Sequence, residues 1–314
     1  MSTPMSLIAS GTFVSNGKPR TIELPKAPNY FILRNRSRWG TSPGSGTPLI
    51  IESFWYTGFS DLECKNLYED NAAAVTAGST TTAGFKLVDL SNQTVGAPVA
   101  ITAITAATAA VASTATTPAE TDIVRVYGTT GMLQIGGMDF TVGTVVDGVS
   151  FELAYMAAAG FAAAATAGTY RVIPRQYYQP TNYYITGISQ AASAVITVSV
   201  AHNYLVGDKI RVAVPTAFGM TEINGLLATV TAVGTSTITV DVDSTGFTAF
   251  AFPTSAVAGA GVTFPHVTPV GEVSSKLTSA MDNTGYYGMY CGLNTVGANS
   301  QTMDWLAFSR DYTF

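Results

Sequence analysis

The sequence predicts an all-β protein, and three observations lead to that prediction. Short runs such as Lys209–Val214 alternate polar and apolar residues, and this two-residue period places alternate side chains on opposite faces of a strand. Turn-forming residues such as Asn224-Gly225 separate these runs at short intervals, and Asn-Gly favours hairpins because both residues tolerate positive φ. Third, the runs in the middle of the chain occur twice.

The repeat is clearest in two stretches of fifteen residues. Residues 131–145 read GMLQIGGMDFTVGTV and residues 219–233 read GMTEINGLLATVTAV, so the offset is 88 (219 minus 131). The similarity continues in both directions with small insertions, which predicts two related antiparallel β modules, residues 101–175 and 185–262.

The flanking segments carry strand patterns as well. Residues 49–56 and 305–308 are aromatic-rich strand candidates, and Pro and Gly clusters separate such runs. We predict that residues 1–100 and 263–314 together form a β-sandwich or jelly-roll-like body with the two modules inserted into one of its loops, because the ends of a compact domain often lie close together. A linear string of three separate domains is the alternative.

One segment sets amino-acid propensity against the repeat. Residues 156–166 are rich in alanine, which favours a helix. The corresponding residues of the second copy, 243–252, have no helical composition. Because corresponding positions of a repeat share backbone geometry, we expect no helix in either copy.

The second copy carries a recognisable pattern. It runs A-H-x-x-x-V-G-D-x-I-R-V from Ala201, then G-M-T-E-I-N-G, T-V-T-A-V and T-I-T-V-D-x-D-S-T-G-F-T-A. This pattern resembles the small β-barrel module first described as the first catalytic cysteine half-domain of ubiquitin-activating enzymes, and similar modules occur in structural proteins of tailed bacteriophages. The first copy lacks the His-x-x-x-Val-Gly part and is assigned through its twin. The resemblance covers about half of the chain and implies two barrels without catalytic residues.

Composition favours a chain whose surface is covered by neighbours. Only 11 % of residues are charged, against about 25 % in ordinary soluble proteins. This predicts a homo-oligomer whose surface is largely covered by neighbours, and the resemblance to phage structural modules implies that other virion proteins are among them. Biased genome composition is an alternative reason for the many Ala and Thr residues. The net charge of −5 and the pI near 5.0 argue against direct nucleic-acid binding.

Two further patterns bear on location. The start of the chain, residues 1–18, lacks the basic start and apolar core of a signal peptide. Residues 101–117 contain many threonines and are shorter than the roughly 20 apolar residues that span a bilayer. We therefore expect a non-secreted chain without membrane contact. The resemblance to phage structural modules implies localisation in a virion that is assembled in the host cytoplasm.

Candidate interface residues fall into two groups. Arg34, Arg36 and Arg38 would share one face of a strand, where they would meet phosphate or an acidic neighbouring subunit, or serve as a solvated edge that discourages unwanted strand pairing. Tyrosines near the linker and in the tail are candidates for subunit contacts, for sugar stacking or for the core. These are Tyr177, Tyr178, Tyr183, Tyr184, Tyr286 and Tyr287.

No pattern in the sequence satisfies the requirements of catalysis, and we predict no catalytic, cofactor or metal residues. Ser42 fits G-x-S-x-G, but no helix-forming segment follows it. Asp241 and Asp243 resemble the start of a calcium loop that lacks its final glutamate, so we interpret them as outward residues of one strand, with an ion between subunits as the alternative. Cys64 and Cys291 either pair or remain free buried thiols.

The sequence therefore predicts a non-enzymatic structural component of a tailed-bacteriophage particle, a head decoration or a neck or tail protein, which acts through subunit contacts. The alternative is a fibre or spike protein that binds a host-surface glycan.

Overall fold

The computed structural model describes residues 5–38, 49–69, 74–89, 96–161, 163–173, 183–253, 264–272 and 287–310. Twenty-one strands and three short 3₁₀ turns lie in these ranges, which confirms the all-β prediction with barrel modules. Within the same ranges, no helix is long and apolar enough to cross a lipid bilayer.

Eight strands from both flanks of the repeat form one antiparallel sheet, here called the body sheet. They are β1 (Met5–Val14), β2 (Arg20–Leu24), β3 (Tyr30–Asn35), β4 (Leu49–Tyr56), β5 (Glu63–Glu69), β6 (Val75–Asp89), β20 (Tyr287–Cys291) and β21 (Thr302–Arg310). Their order across the sheet is β1-β21-β3-β4-β5-β6-β20-β2. The first described strand, β1, pairs with the last, β21.

Strand β6 pairs with two neighbouring strands. Its register against β5 shifts between Glu63, which opposes Phe85, and Cys64, which opposes Thr80. From Phe85 to Asp89, β6 also pairs with β20. All eight strands contribute to one buried cluster, in which the Phe31 ring packs edge-on against Phe85 with centroids 5.3 Å apart.

The first module, barrel 1, contains seven strands. They are β7 (Val99–Ile101), β8 (Ala103–Ile104), β9 (Thr108–Ser113), β10 (Ile123–Thr130), β11 (Asp139–Val146), β12 (Ser150–Ala157) and β13 (Ala167–Ile173), in the order β7-β13-β10-β11-β12-β9-β8. Only Thr102 separates β7 from β8. Both ends of the sheet therefore belong to one bent segment, and the sheet returns to its starting point.

The second module, barrel 2, is a closed six-stranded barrel. Its strands are β14 (Tyr183–Ile188), β15 (Val195–Val198), β16 (Lys209–Ala213), β17 (Leu227–Val233), β18 (Thr237–Val240) and β19 (His266–Pro269), in the order β14-β15-β18-β17-β16-β19. Strand β19, which pairs with both β14 and β16, lies beyond the boundary at residue 262 that the sequence predicts. The barrel thus closes with a strand from the segment assigned to the body.

The two barrels share strand order and register, which explains the repeat. Strand β14 corresponds to β7 and β8 together, and the other five strands correspond one to one. Equivalent residue pairs face each other in both: Val124 and Phe140 match Ile210 and Ala228, and Val142 and Leu153 match Val230 and Val240.

The repeated Gly-Met pairs have a common steric cause. Gly131 and Gly219 have φ angles of 102° and 66°, a region that favours glycine. A Cβ atom would lie 2.5 Å from the Ala164 carbonyl oxygen in barrel 1 and 2.3 Å from the Ala249 carbonyl oxygen in barrel 2. The glycines therefore allow a neighbouring segment to pass close to the backbone.

The alanine-rich segment contains no helix in its described residues. Strand β12 ends at Ala157, a turn follows, and Ala165 forms an isolated bridge with Ile104. The prediction from the repeat is confirmed here, and tertiary context overrides alanine propensity.

The three parts are packed directly against each other. One hydrophobic cluster runs through both barrels, and Phe161 of barrel 1 contacts Phe252 of barrel 2 with ring centroids 5.2 Å apart. Barrel 2 also contacts the body, since the Asp208 carboxylate accepts a hydrogen bond of 2.7 Å from the Val14 amide.

Candidate subunit interface

One face of the body sheet presents apolar side chains away from the core. Residues that lie directly opposite each other on antiparallel strands point to the same side of the sheet. Two rows on that side run across β1, β21, β3 and β4, the first through Leu7, Phe308, Tyr30 and Tyr56, the second through Ser10, Leu306, Ile32 and Phe54. The apolar members, Leu7, Tyr30, Ile32, Phe54, Tyr56, Leu306 and Phe308, are called the apolar outer face.

The apolar outer face is accessible to solvent. Leu7 is 53 % exposed and Tyr56 is 46 % exposed, and the other five members are half-buried. The rings form a continuous group, because Tyr30 lies 6.3 Å from Phe54 and 6.2 Å from Phe308 between centroids. Contiguous apolar surface of this kind marks protein contact sites more often than scattered exposed side chains do.

A row of charged residues borders the apolar outer face. Next to the second row lie Thr12, Asp304, Arg34 and Glu52. The Arg34 guanidinium contacts the Glu52 carboxylate at 2.8 Å. Arg36 donates two hydrogen bonds to Asp304, at 2.6 and 2.7 Å. An apolar patch with a polar rim is the usual organisation of a protein–protein interface.

A cavity of about 410 Å³ opens at the opposite end of the apolar outer face. Its lining is Met5, Asn29, Tyr30, Tyr56, Thr57 and Arg310. The Asn29 side chain donates to the Thr57 hydroxyl and accepts from the Arg310 amide, so both ends of its amide group are hydrogen-bonded within the chain. Partial burial, with a smaller effect of the nearby Glu52 charge, raises the pKa of Tyr30.

The arginines predicted from the sequence lie at the edge of this surface. Only Arg34 belongs to a strand, because β3 ends at Asn35 and residues 36–38 form a turn, so the prediction of one strand face is wrong for Arg36 and Arg38. Both Arg34 and Arg36 are neutralised by carboxylates of the same chain. The positive charges of Arg34 and Arg36 are therefore balanced by the negative charges of Glu52 and Asp304.

The predicted tyrosines are dispersed. Tyr183 and Tyr184 are each 3 % exposed and belong to barrel 2, where the Tyr183 hydroxyl donates to the Asn203 side chain at 2.7 Å. Tyr287 is half-buried on β20. Tyr177, Tyr178 and Tyr286 lie outside the described residues. The described members thus serve mainly as packing residues.

Both histidines of the chain hydrogen-bond to backbone groups. His202 Nε2 lies 3.0 Å from the Thr237 carbonyl oxygen, and Nδ1 accepts a hydrogen bond from the Tyr204 amide, which defines a neutral ring protonated on Nε2. Burial lowers the pKa of His202. His266 Nδ1 contacts the Phe264 carbonyl oxygen at 2.8 Å.

In the part of the chain that the structure describes, no group of three or more His, Cys, Asp or Glu residues is arranged so that it could hold a metal ion. Strand β18 ends at Val240, so Asp241 and Asp243 follow the strand, contrary to the interpretation from sequence. The Asp241 carboxylate accepts a hydrogen bond from the Thr229 amide on β17, and the Asp243 carboxylate accepts one from the Thr245 amide. Ser42 lies outside the described residues.

The two cysteines are free thiols in the body core. Cys64 on β5 and Cys291 on β20 are both fully buried. Burial raises the pKa of the Cys64 thiol to about 12 and raises that of Cys291 as well. Of the two alternatives that the sequence leaves open, a disulfide or two free buried thiols, the structure has the free thiols.

The apolar outer face was missed by the analysis of the sequence, although a signal was present. Residues 30–33 and 54–56 are uninterrupted apolar runs, and strands that are apolar on both sides are normally covered on both faces. One side of each run enters the core through Phe31, Leu33 and Trp55. The other side carries Tyr30, Ile32, Phe54 and Tyr56 of the apolar outer face.

No protein-family model matches this chain, and no curated protein matches its sequence.

Proposed function

We propose that this protein is a structural subunit of a tailed-bacteriophage particle, a head decoration or a neck or tail component, and that the apolar outer face contacts a neighbouring subunit. One observation carries the subunit-contact part of the proposal: two apolar rows with an ion-paired border occupy the surface of a chain with only 11 % charged residues. The assignment to a phage particle is supported by the resemblance of the repeated module.

The energetic case follows from the exposed apolar area. Covering apolar surface contributes roughly 25 cal/mol for each Å² removed from water. Leu7 and Tyr56 are the most exposed members and lie at the two ends of the first row. A neighbouring subunit that covers this row therefore gains hydrophobic stabilisation along its whole length.

The test is a double variant, Leu7→Lys/Tyr56→Lys, measured for incorporation into particles and for self-association by sedimentation velocity. Both side chains are more than 40 % exposed, so the changes leave the core intact. We expect assembly to fall at least tenfold, because each lysine would have to lose its hydration in the contact.

The matched control is Val75→Lys/Leu293→Lys. These residues are 63 % and 59 % exposed and lie outside the apolar outer face. Normal assembly of the control together with loss in the test variant supports the proposal. Equal assembly of both variants refutes it. The number of copies per particle then separates a head decoration, which is abundant, from a neck or tail component.

The cavity at Tyr30 and Tyr56 favours a second candidate, a fibre or spike protein that binds a host glycan. Aromatic rings beside amide and guanidinium groups suit sugar stacking and hydrogen bonding. Binding of the isolated chain to a glycan array, abolished by Tyr56→Ala with assembly unchanged, would support this alternative. The hydrogen bonds that already occupy Asn29 favour the subunit contact.

A further inference from the structure

The contact between the barrels uses one face of barrel 1, formed by β10, β11 and β12. The Thr141 amide donates to the Ser199 carbonyl oxygen at 3.2 Å, and the Ser199 hydroxyl donates to the Asp139 carbonyl oxygen at 2.5 Å. The Ala201 amide donates to the Thr141 hydroxyl at 3.1 Å. Residues 199–201 of barrel 2 thus bind to β11, and this face of barrel 1 is called the docking face.

Barrel 2 has an equivalent of the docking face, because the two barrels share register. Five positions define it in barrel 1: Ile123, Arg125, Asp139, Thr141 and Ala154, all at most 8 % exposed. The corresponding residues of barrel 2 are Lys209, Arg211, Leu227, Thr229 and Asp241. There, Thr229 is half-buried and the other four residues are exposed.

The docking-face groups of barrel 1 that hydrogen-bond residues 199–201 have counterparts in barrel 2. These counterparts are hydrogen-bonded within barrel 2 itself. The Thr229 amide, equivalent to the Thr141 amide, donates to the Asp241 carboxylate at 2.6 Å. The Thr229 hydroxyl accepts from the Lys209 ammonium group. In barrel 1 the positions of these two partners hold Ala154 and Ile123, whose side chains have no hydrogen-bonding groups.

The complementary segment is present on barrel 1. In barrel 1 the Thr114 amide donates to the Val149 carbonyl oxygen, and in barrel 2 the Val198 amide donates to the Ser236 carbonyl oxygen. These two hydrogen bonds are equivalent, so residues 115–117 correspond to residues 199–201. Ala115 and Thr116 are exposed. A second copy of the chain therefore carries the segment that a free docking face on barrel 2 would accept.

We propose that the β16–β17–β18 face of barrel 2 is a blocked docking face, and that Asp241 and Lys209 prevent residues 115–117 of a second copy from binding to it. The Asp241 carboxylate occupies the position at the Thr229 amide that a carbonyl oxygen of the incoming segment would take. The Lys209 ammonium group occupies the position at the Thr229 hydroxyl that an incoming amide would take. Barrel-to-barrel stacking is head-to-tail, and such contacts continue into rings or filaments unless one end is closed. The two residues close the end, as polar outer faces do in the terminal units of other repeat proteins.

The experiment compares the parent chain with Lys209→Ile/Asp241→Ala, which restores the side chains of the barrel 1 docking face. We expect concentration-dependent self-association beyond the parent's state in sedimentation velocity, and its suppression when Thr116→Lys is added. Lys18→Ile/Asp243→Ala changes charge and composition equally away from this face and should sediment as the parent does.

Asp241→Ala alone provides a milder test if the double variant folds poorly, and an intermediate tendency to associate is expected of it. The proposal is wrong if neither variant associates more than the parent, or if Thr116→Lys leaves the new association unchanged. It is also wrong if Leu227→Cys, in a chain that keeps Lys209 and Asp241, forms a disulfide with Thr116→Cys of another copy, since the face would then be open.

Discussion

The buried ion pair between Arg20 and Glu272 offers a sharp test of how the body and barrel 2 are held together. The Arg20 Nη2 and Glu272 Oε1 atoms are 3.1 Å apart, and the two side chains are 7 % and 1 % exposed. The second Glu272 oxygen accepts a hydrogen bond from the Glu23 amide at 3.1 Å. The perturbation is Glu272→Gln, which keeps the shape and removes the charge.

The expected cost follows from the burial of the arginine. Removing one partner of a buried pair typically costs about 3–5 kcal/mol, because the remaining charge has lost its hydration without compensation. The charge of Asp208 also acts on Arg20, and it helps to raise the pKa of Arg20 above its ordinary value despite burial. We therefore expect the lower part of the range, about 3 kcal/mol.

The assay is urea unfolding followed by tryptophan fluorescence, since Trp55 and Trp305 are buried in the body core. The control is Glu52→Gln, which removes the partner of Arg34 at the surface, where the two side chains are 15 % and 37 % exposed. Exposed pairs contribute about 0–1 kcal/mol, so the control should shift the midpoint little. Equal shifts of the two midpoints would refute the reasoning.

Two further predictions concern single residues. Gly271→Ala should lower the melting temperature far more than Gly225→Ala. Both glycines have positive φ, so the backbone strain is similar. A Cβ on Gly271 would lie 1.8 Å from the Ser10 carbonyl oxygen, whereas a Cβ on Gly225 would have no atom within 4 Å. For His202, burial lowers the folded pKa below 6.5, so the unfolded chain takes up the proton first and stability should decrease as pH falls below about 6.5. Melting temperatures between pH 7.5 and 5 should fall less in His202→Gln, and a parallel fall in both proteins would contradict this assignment.

The repeat made the barrels predictable, because two copies with shared glycines and alternation require one backbone geometry. The shared register between Val124–Phe140 and Ile210–Ala228 is the structural counterpart of that similarity. The closing strand of barrel 2, residues 266–269, was not predictable in the same way. This strand follows residues that have no counterpart in the first copy, so the repeat does not identify it. Its pairing with β14 and β16 cannot be predicted from the sequence of the strand alone.

The candidate interface was predictable only in part. The arginines were identified by charge, but their carboxylate partners Asp304 and Glu52 lie on other strands, 268 and 18 residues away along the chain. Neutralisation of a charged row is therefore a tertiary property. The tyrosines of barrel 2 were candidates for surface contacts but are buried. Composition cannot distinguish an aromatic ring in a core from one on a surface.

The pairing of β1 with β21 has a consequence for biosynthesis. Met5 opposes Arg310, so the first described strand acquires its sheet partner only after residues 302–310 have left the ribosome. Barrel 1, by contrast, is built from the contiguous residues 99–173 and can fold while translation continues. Strands β3 to β6 pair with one another in sequence, so among the described body strands only β1 and β2 wait for partners, β21 and β20. These two strands are the ones that cellular chaperones have to shield until β20 and β21 emerge.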